Sequence, residues 1–482
     1  VASPATAPLP IQKPHTHDES SRRVAVQLDP PAVSAAAPDA ATDREVTDPG
    51  VTAPISIVRA NKGFKDTFAA FAIRNYRYFT MAHFVAVIAL WMQRIAQDWI
   101  VLQLSGSVTA VGITVALQFA PTLLLGPWGG VLADRFSKRA LLVIAQSAAG
   151  VLAVVMAVLS LSGALQVWHV YLVAFVLGLV TVVDQPARQV FVNELVGPVQ
   201  LRNAISINSS IFQLGGMIGP AIAGIMLTAV GGGWAFVVNA VACVFTVTML
   251  AVMKGSDLVR SAPAPRSKGM LAEGARYLVR KPAILYSTIM ASFVAVFALS
   301  LPVMMAAFAD HVFNSGAGGY GLLNTLVAVG ALIGALASTR RRELRLRSVV
   351  ISAGAYGAAL VVAALMPSMW SFSAVMVIAG FASLMFLTGA NQLVQISTNM
   401  QIRGRVMSLY VMVLIGGQAL GGLLIGWAAE HLGPQLTLLL SGSVPALAAL
   451  VVGIILARRG ELMLKVNLRF WRPADVLRIV QR

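Results

Sequence analysis

The chain has 482 residues, 57% of them hydrophobic and 11% charged, with a mean hydropathy of +0.78 and a net charge of +17. Such a composition excludes an ordinary water-soluble domain. Apolar runs of about 20 residues, each able to cross roughly 30 Å of hydrocarbon, make the membrane span the unit to count. The single cysteine, Cys243, excludes an intrachain disulfide and a cysteine-based metal site.

In chain order, residues 1–61 are rich in Ala, Pro, Thr and Asp and read as a disordered cytoplasmic tail with no apolar core of a secretory signal. Residues 62–79, "KGFKDTFAAFAIRNYRYF", mix aromatics with bases, as in a segment lying among headgroups or in the flank of the first span. Spans are predicted at 79–104, 108–133, 140–162, 167–190, 203–230 and 233–253. A second set follows at 284–309, 318–338, 348–367, 370–394, 405–430 and 434–457. The predicted fold class is all-α, a membrane protein of 12 transmembrane helices in two pseudo-symmetric six-helix bundles. The bundles take residues 62–253 and 283–457, joined by a cytoplasmic linker at 254–282 and followed by a basic tail at 458–482.

Bases are retained on the cytoplasmic side of a membrane. Alternate loops hold Arg135, Lys138 and Arg139, then Arg202, then Lys254 through Lys281, Arg340 through Arg347, and Arg403 with Arg405; the intervening loops hold none. This asymmetry places both termini in the cytoplasm, makes the chain a multi-pass protein of the cell membrane, and names the lipid bilayer as its partner rather than nucleic acid. Of all 36 Lys and Arg residues, only Arg94 is left deep in a span.

The two halves repeat each other. Gly215, Gly219 and Gly224 in the fifth span share their spacing with Gly417, Gly421 and Gly426 in the eleventh, at an offset of 202 residues. "GVLADR" (130–135) aligns with "GALAST" (334–339). A duplicated unit of this kind is the repeat architecture of secondary transporters, with a substrate path between the repeats.

The stretch Gly130-x-x-x-Asp134-Arg135-x-Ser137-Lys138-Arg139 resembles the signature loop of the major facilitator superfamily, with Ser137 in place of a glycine and Lys138 in place of an arginine. Gly215-x-x-x-Gly219-Pro220-x-x-x-Gly224 resembles that superfamily's antiporter motif. "QRIAQDWIVLQLSGS", "LQFAPTLLLGPWGGVLADR", "DQPARQVFVNELV" and "RNAISINSSIFQLGGMIGP" are similar to its drug- and siderophore-exporting branch, which includes macrolide-efflux and enterobactin-exporter types. The resemblance covers about residues 65–457 and implies export by alternating access. It departs at Gly216, where members of the branch often carry an arginine.

Charged groups inside a span are costly and are functional candidates by default. Gln93, Arg94, Gln97 and Asp98 form two i,i+4 pairs on adjoining faces of the first span. Asp98 is either a protonatable or cation-attracting group beside Arg94, or half of an ion pair that neutralises two buried charges. Asp184 and Arg188 are again four apart near the cytoplasmic end of the fourth span, with Pro186 expected to break the hydrogen-bond ladder between them. The resemblance implies that Asp184 engages Arg135 or Arg139 as a gate, and that Asp134 bridges the halves when the inner side is closed.

The resemblance also implies that the first, second, fourth and fifth spans of each half face the cavity. This selects Gln118, Asn208 and Gln213 as polar lining; Met92, Phe119, Phe212, Met304 and Phe386 are either an adaptable apolar lining or lipid-facing and core positions. The motif glycines suit close helix packing as well as export. Several features are set aside. "GAGGYG" (316–321) lacks a Rossmann context and reads as a flexible outer turn; His83, His169, His311 and His431 show no metal spacing; Asp310 and Glu430 read as solvated helix ends.

The expected function is proton-coupled efflux of small amphiphilic molecules such as drugs, by a monomer without cofactor or metal and without the residue constellation of an enzyme. A siderophore or endogenous-metabolite exporter, an importer, and a non-transporting membrane sensor or scaffold are the alternatives.

Overall fold

The computed structural model describes residues 70–253, 270–339, 345–399, 402–458, 463–466 and 477–480. Among them are 12 helices long and apolar enough to cross a membrane. Spans 1 to 6 are Arg74–Ser105, Val108–Gly126, Lys138–Leu161, Val167–Gly197, Asn203–Ala229 and Gly233–Val252. Spans 7 to 12 are Pro282–Val312, Gly316–Ser338, Leu346–Ala364, Met369–Ile396, Arg403–Leu432 and Pro434–Arg458. Residues 1–69 and most of the expected linker, 254–269, lie outside the described residues, as do Arg340, Arg341 and Arg342.

Span ends follow local chemistry. Span 1 stops at Gly106, whose φ of 62° is left-handed backbone that a glycine adopts without a side-chain clash. Ser107 and Ser137 cap the helices of spans 2 and 3, their hydroxyls accepting from the Ala110 and Ala140 amides at 3.2 and 3.4 Å. Ser137, the residue standing in place of the signature-loop glycine, therefore acts as a helix cap.

Three boundaries depart from expectation. The helix of span 4 runs unbroken through Pro186 and breaks instead at Gly197, where φ is 64°. A proline removes one donor, but the rest of the ladder holds the helix through it. Span 7 is discontinuous: helix Pro282–Phe297 gives way at residues 298–300 to helix Leu301–Ala307 and a π-helical turn, Phe308–Val312. The Tyr356 hydroxyl of span 9 donates to the Ala298 carbonyl at 2.6 Å, satisfying one backbone group that the break exposes. "GAGGYG" is no flexible turn, because helix begins at Gly316 and the segment forms the first turns of span 8.

The end of the expected linker also folds. Met270–Arg280 is a helix docked on the start of span 11, where Glu273 pairs with Arg405, and Tyr277 accepts from the Asn399 amide at 3.4 Å. Beyond span 12, Met463–Val466 and Leu477–Val480 pair as a short antiparallel ribbon.

Spans 1 to 6 form one bundle and spans 7 to 12 the other, and they meet where span 2 packs along span 11 and span 5 along span 8. The predicted glycine repeat appears as equivalent contacts. Gly215 and Gly219 bring span 5 onto Val87, Ile88 and Trp91 of span 1, as Gly417 and Gly421 bring span 11 onto Ala295 and Val296 of span 7. Gly224 touches Gly321 of span 8 in the other bundle, and Gly426 touches Gly112 of span 2. These are the two-fold related positions of one repeat.

Candidate functional site

Gln93, Arg94 and Asp98 of span 1 each turn toward a different neighbour. Gln93 is buried, and its carbonyl oxygen accepts from the Asn239 side-chain amide of span 6. Interhelical hydrogen bonds in membrane proteins average about 0.6 kcal/mol, so this contact positions span 1 more than it stabilises the bundle.

Of the two readings of Asp98, the ion pair with Arg94 is not formed. Among the described residues Arg94 makes no hydrogen bond or ion pair with Asp98; its guanidinium lies 5.6 Å from the Trp91 ring centre and 5.7 Å from that of Phe119. Trp91 in turn packs edge-to-face with Phe212 of span 5, with centres 5.6 Å apart. A guanidinium held over aromatic faces gains as much as about 2 kcal/mol when desolvated. That attraction draws Arg94 back toward Trp91, one turn away from Asp98.

Asp98 is 4% exposed and reaches across the bundle boundary. Its Oδ2 accepts from the Tyr320 hydroxyl of span 8 at 3.3 Å, and Tyr320 stacks on Trp99 with centres 5.7 Å apart. Oδ1 of Asp98 and Nε2 of the neighbouring Gln97 are buried without a hydrogen-bond partner. Burying an aspartate within a span costs up to about 3 kcal/mol, more than one interhelical hydrogen bond offsets. Stability alone therefore gives no reason for an acid here.

The proposed lining residues divide. Asn208 Oδ1 and Gln213 Nε2 of span 5 are buried and unpaired, while Gln118 is half-buried with no side-chain hydrogen bond among the described residues. Unpaired polar atoms of this kind are what a passing proton or polar cargo can engage. Phe119 beside Arg94 is partly exposed and Phe212 against Trp91 is largely exposed, whereas Met92, Met304 and Phe386 are at most 1% exposed and belong to the packed core. Gly216 faces the Trp91 indole: a Cβ at this position would lie 3.6 Å from the nearest ring atom, so a larger residue would extend over that ring.

At the face that carries the basic loops, the gate residues pair differently from the expectation. Asp184 takes two bonds from Arg188, at 3.0 and 2.8 Å, and one from Gln146 at 3.1 Å, and engages neither Arg135 nor Arg139. Helical i,i+4 spacing puts Arg188 in direct reach and saturates the carboxylate. Arg188 also donates to Nδ1 of His83 at 3.2 Å, which brings a histidine set aside in the sequence into this cluster. Lys138 pairs with Glu194 at 3.2 Å, and Arg139 donates to the Leu250 and Ala251 carbonyls at 2.7 Å each, capping the end of span 6.

Arg135 is exposed, and the Asp134 and Arg202 side chains lie outside the described residues. Gly130 meets nothing within 4 Å; the close contact belongs to Gly129, against the Val182 carbonyl of span 4.

The opposite face is closed by bonds between the bundles. Glu430 at the end of span 11 accepts from the Ser107 hydroxyl at 2.5 Å and the Thr109 amide at 2.8 Å, so it is no freely solvated helix end. Together with the Asp98–Tyr320 bond and the Gly112–Gly426 and Gly224–Gly321 contacts, this seals the far end of the junction.

Twelve spans in two related bundles, with polar groups unpaired near their junction, define a membrane transporter of the major facilitator fold. The fold is shared with a nucleoside transporter, NupG, at a TM-score of 0.65 and 10% identity over 79% of this chain and 100% of that one. It is also shared with a bacterial homologue of the human lysosomal transporter Spinster, inward-facing and unoccupied, at 0.63 and 16% identity over 82% and 97%.

The family model described as transmembrane secretion effector matches residues 65–476, and the chain belongs to that family. Among curated relatives, an enterobactin exporter of Escherichia coli (strain K12) is 25% identical over 82% of this chain and 93% of its own length. The staphyloferrin A transporter of Staphylococcus aureus is 26% identical over 54% of this chain and 66% of its own length.

Proposed function

We propose that the protein is a proton-coupled exporter that moves small amphiphilic molecules out of the cell by alternating access, with its basic face and both termini in the cytoplasm. The observation that carries this reading is Asp98, a buried acid with one oxygen unpaired and the other bonded to the opposite bundle. A group so placed can take a proton when the far face is open and carry it to the basic face when that side opens in turn. Arg94 and the aromatic faces around it, with Gln97, Gln118, Asn208 and Gln213, form the cargo surface. Lys138, Arg139, Asp184 and Arg188 hold the ends of spans 3, 4 and 6 at the cytoplasmic gate, and Gly215, Gly219, Pro220 and Gly224 form the packing hinge of span 5.

A second reading concerns the cargo. Arg94 makes no hydrogen bond or direct ion pair with a carboxylate among the described residues and lies near two aromatic rings, which suits an anionic metabolite with a planar group. Siderophores fall in that class, and the relatives named for enterobactin and staphyloferrin A favour it.

Efflux from cells lacking their own pumps, measured for a drug panel and for siderophores with and without a protonophore, tests both readings. Asp98→Asn is expected to abolish coupled efflux while the protein still inserts; efflux at the wild-type rate from that variant would remove Asp98 from the mechanism. Accumulation of cargo by energised cells would establish an importer instead.

A further inference from the structure

Spans 9 and 12 touch closely at mid-membrane, where Gly357 and Gly442 bring the two backbones together. Toward the basic face they leave a crevice of about 440 Å³ on the outer, lipid-facing side of the second bundle. Its walls are Ile351, Leu450 and Ile454, respectively 53%, 59% and 45% exposed, and its floor includes Gly354 and Gly453. A side chain added at Gly453 would meet nothing within 4 Å, so the space is open down to the backbone.

Arg347 is the one charged residue in this otherwise apolar lining. It lies in the first turn of span 9, at headgroup depth, and its Nη1 is buried with no hydrogen-bond partner. Arg345 precedes the same span and Arg458 ends span 12, while neither span contains an acidic residue.

A protein partner would be expected to present a polar rim around such a groove, but this one opens sideways into hydrocarbon. Its only polar feature is a cation at the level of lipid phosphates. Basic pockets between spans on the cytoplasmic side are suited to anionic headgroups.

We propose that the crevice between spans 9 and 12 binds an anionic phospholipid of the basic-face leaflet. One acyl chain lies along Ile351, Leu450 and Ile454 over the two glycines. The headgroup phosphate accepts from the Arg347 guanidinium.

The test uses the full chain purified in detergent and exposed to mixed micelles of phosphatidylglycerol or phosphatidylcholine, with bound lipid counted by native mass spectrometry and thermal unfolding followed in parallel. Wild-type protein is expected to retain phosphatidylglycerol about fivefold better than phosphatidylcholine, the preference set by one base near the surface. Arg347→Gln removes the cation and Gly453→Leu fills the crevice; each is expected to abolish the preference, while Arg347→Lys and Gly453→Ala keep most of it and control for folding. Equal retention of the two lipids by wild type overturns the proposal, as does a preference that survives in either Arg347→Gln or Gly453→Leu. Displacement of the lipid by soluble glycerol phosphate would show an anion site without an acyl seat and overturns it equally.

Discussion

The Tyr320 hydroxyl donates to Asp98 Oδ2 at 3.3 Å, from span 8 of one bundle to span 1 of the other. The two residues are 222 positions apart, and the bond joins the two bundles, so parting their far ends would break it. It therefore ties the state of the acid to the state of the gate. Tyr320→Phe keeps the ring that stacks on Trp99 and removes only the donor. The expected result is efflux reduced about threefold, from one lost interhelical hydrogen bond of roughly 0.6 kcal/mol, with a displaced pH profile. A purely structural tyrosine would lower the amount of folded protein and leave the pH profile where it was.

Arg94 sits over two aromatic rings and makes no direct ion pair with Asp98. A lysine keeps the charge but loses the flat surface that stacks. If Arg94 binds anionic cargo, Arg94→Lys is expected to raise the apparent KM for such cargo about fivefold with little change in maximal rate, and Arg94→Gln to raise it further. Transport of a neutral amphiphile should change by less than about twofold in both. Equal loss for anionic and neutral cargo would show that Arg94 serves span 1 packing and not recognition.

Glu430 accepts from Ser107 and Thr109 at the start of span 2, where helix-terminal amides favour an anion. The site is exposed, so the contribution is modest, about 1 kcal/mol. Glu430→Gln is expected to shift the balance between far-closed and far-open forms about fivefold toward open. Spin-label distances between spans 2 and 11 at the far face would record the shift, and raised salt should shrink the wild-type advantage.

The sequence carries what is periodic and what is repeated. Hydropathy places the spans to within a few residues except at the end of span 2, whose apolar part stops at Gly126 although its helix runs on to Arg135, and at residues 186–197, where Pro186 is the more conspicuous residue but Gly197, with its positive φ, makes the break. The glycine offset of 202 residues points to contacts that the structure shows twice over.

Pairings between distant segments leave no comparable trace. Nothing near Tyr320 marks it as a partner of Asp98, and the glycines around it suggest a turn. Lys138 and Glu194 are not related by helical spacing, so the acid that meets the signature loop is invisible in the sequence, while Asp184, closer to the expected pattern, is paired by Arg188. His83 looks isolated because its neighbour Arg188 is 105 residues away.

The signature-loop glycine pair can be separated by stability. A Cβ at Gly129 would strike the Val182 carbonyl, whereas one at Gly130 meets nothing. Gly129→Ala is expected to cost about 1–3 kcal/mol as an overpacked contact, and Gly130→Ala to be near neutral or slightly stabilising in this conformation. Thermal unfolding of the two variants in the same detergent decides between this order and the reverse order that the motif alone suggests.

The glycine contacts between bundles offer a test of alternating access itself. At Gly321 a Cβ would come within 2.6 Å of the Gly224 Cα and 2.8 Å of the Pro220 carbonyl, and at Gly426 within 3.0 Å of the Gly112 Cα. Both contacts join opposite bundles, so a clash there can be relieved by separating the far ends without disturbing either bundle. Gly321→Val is accordingly expected to insert and fold, to lose transport by about 30-fold from roughly 2 kcal/mol of overpacking in the closed form, and to leave the junction accessible from the far face. Combining it with Gly426→Val should add little once the far face is already held open, since both substitutions oppose the same closure. Independent, additive losses in folded protein would instead mean that these glycines stabilise the fold and play no part in the gate.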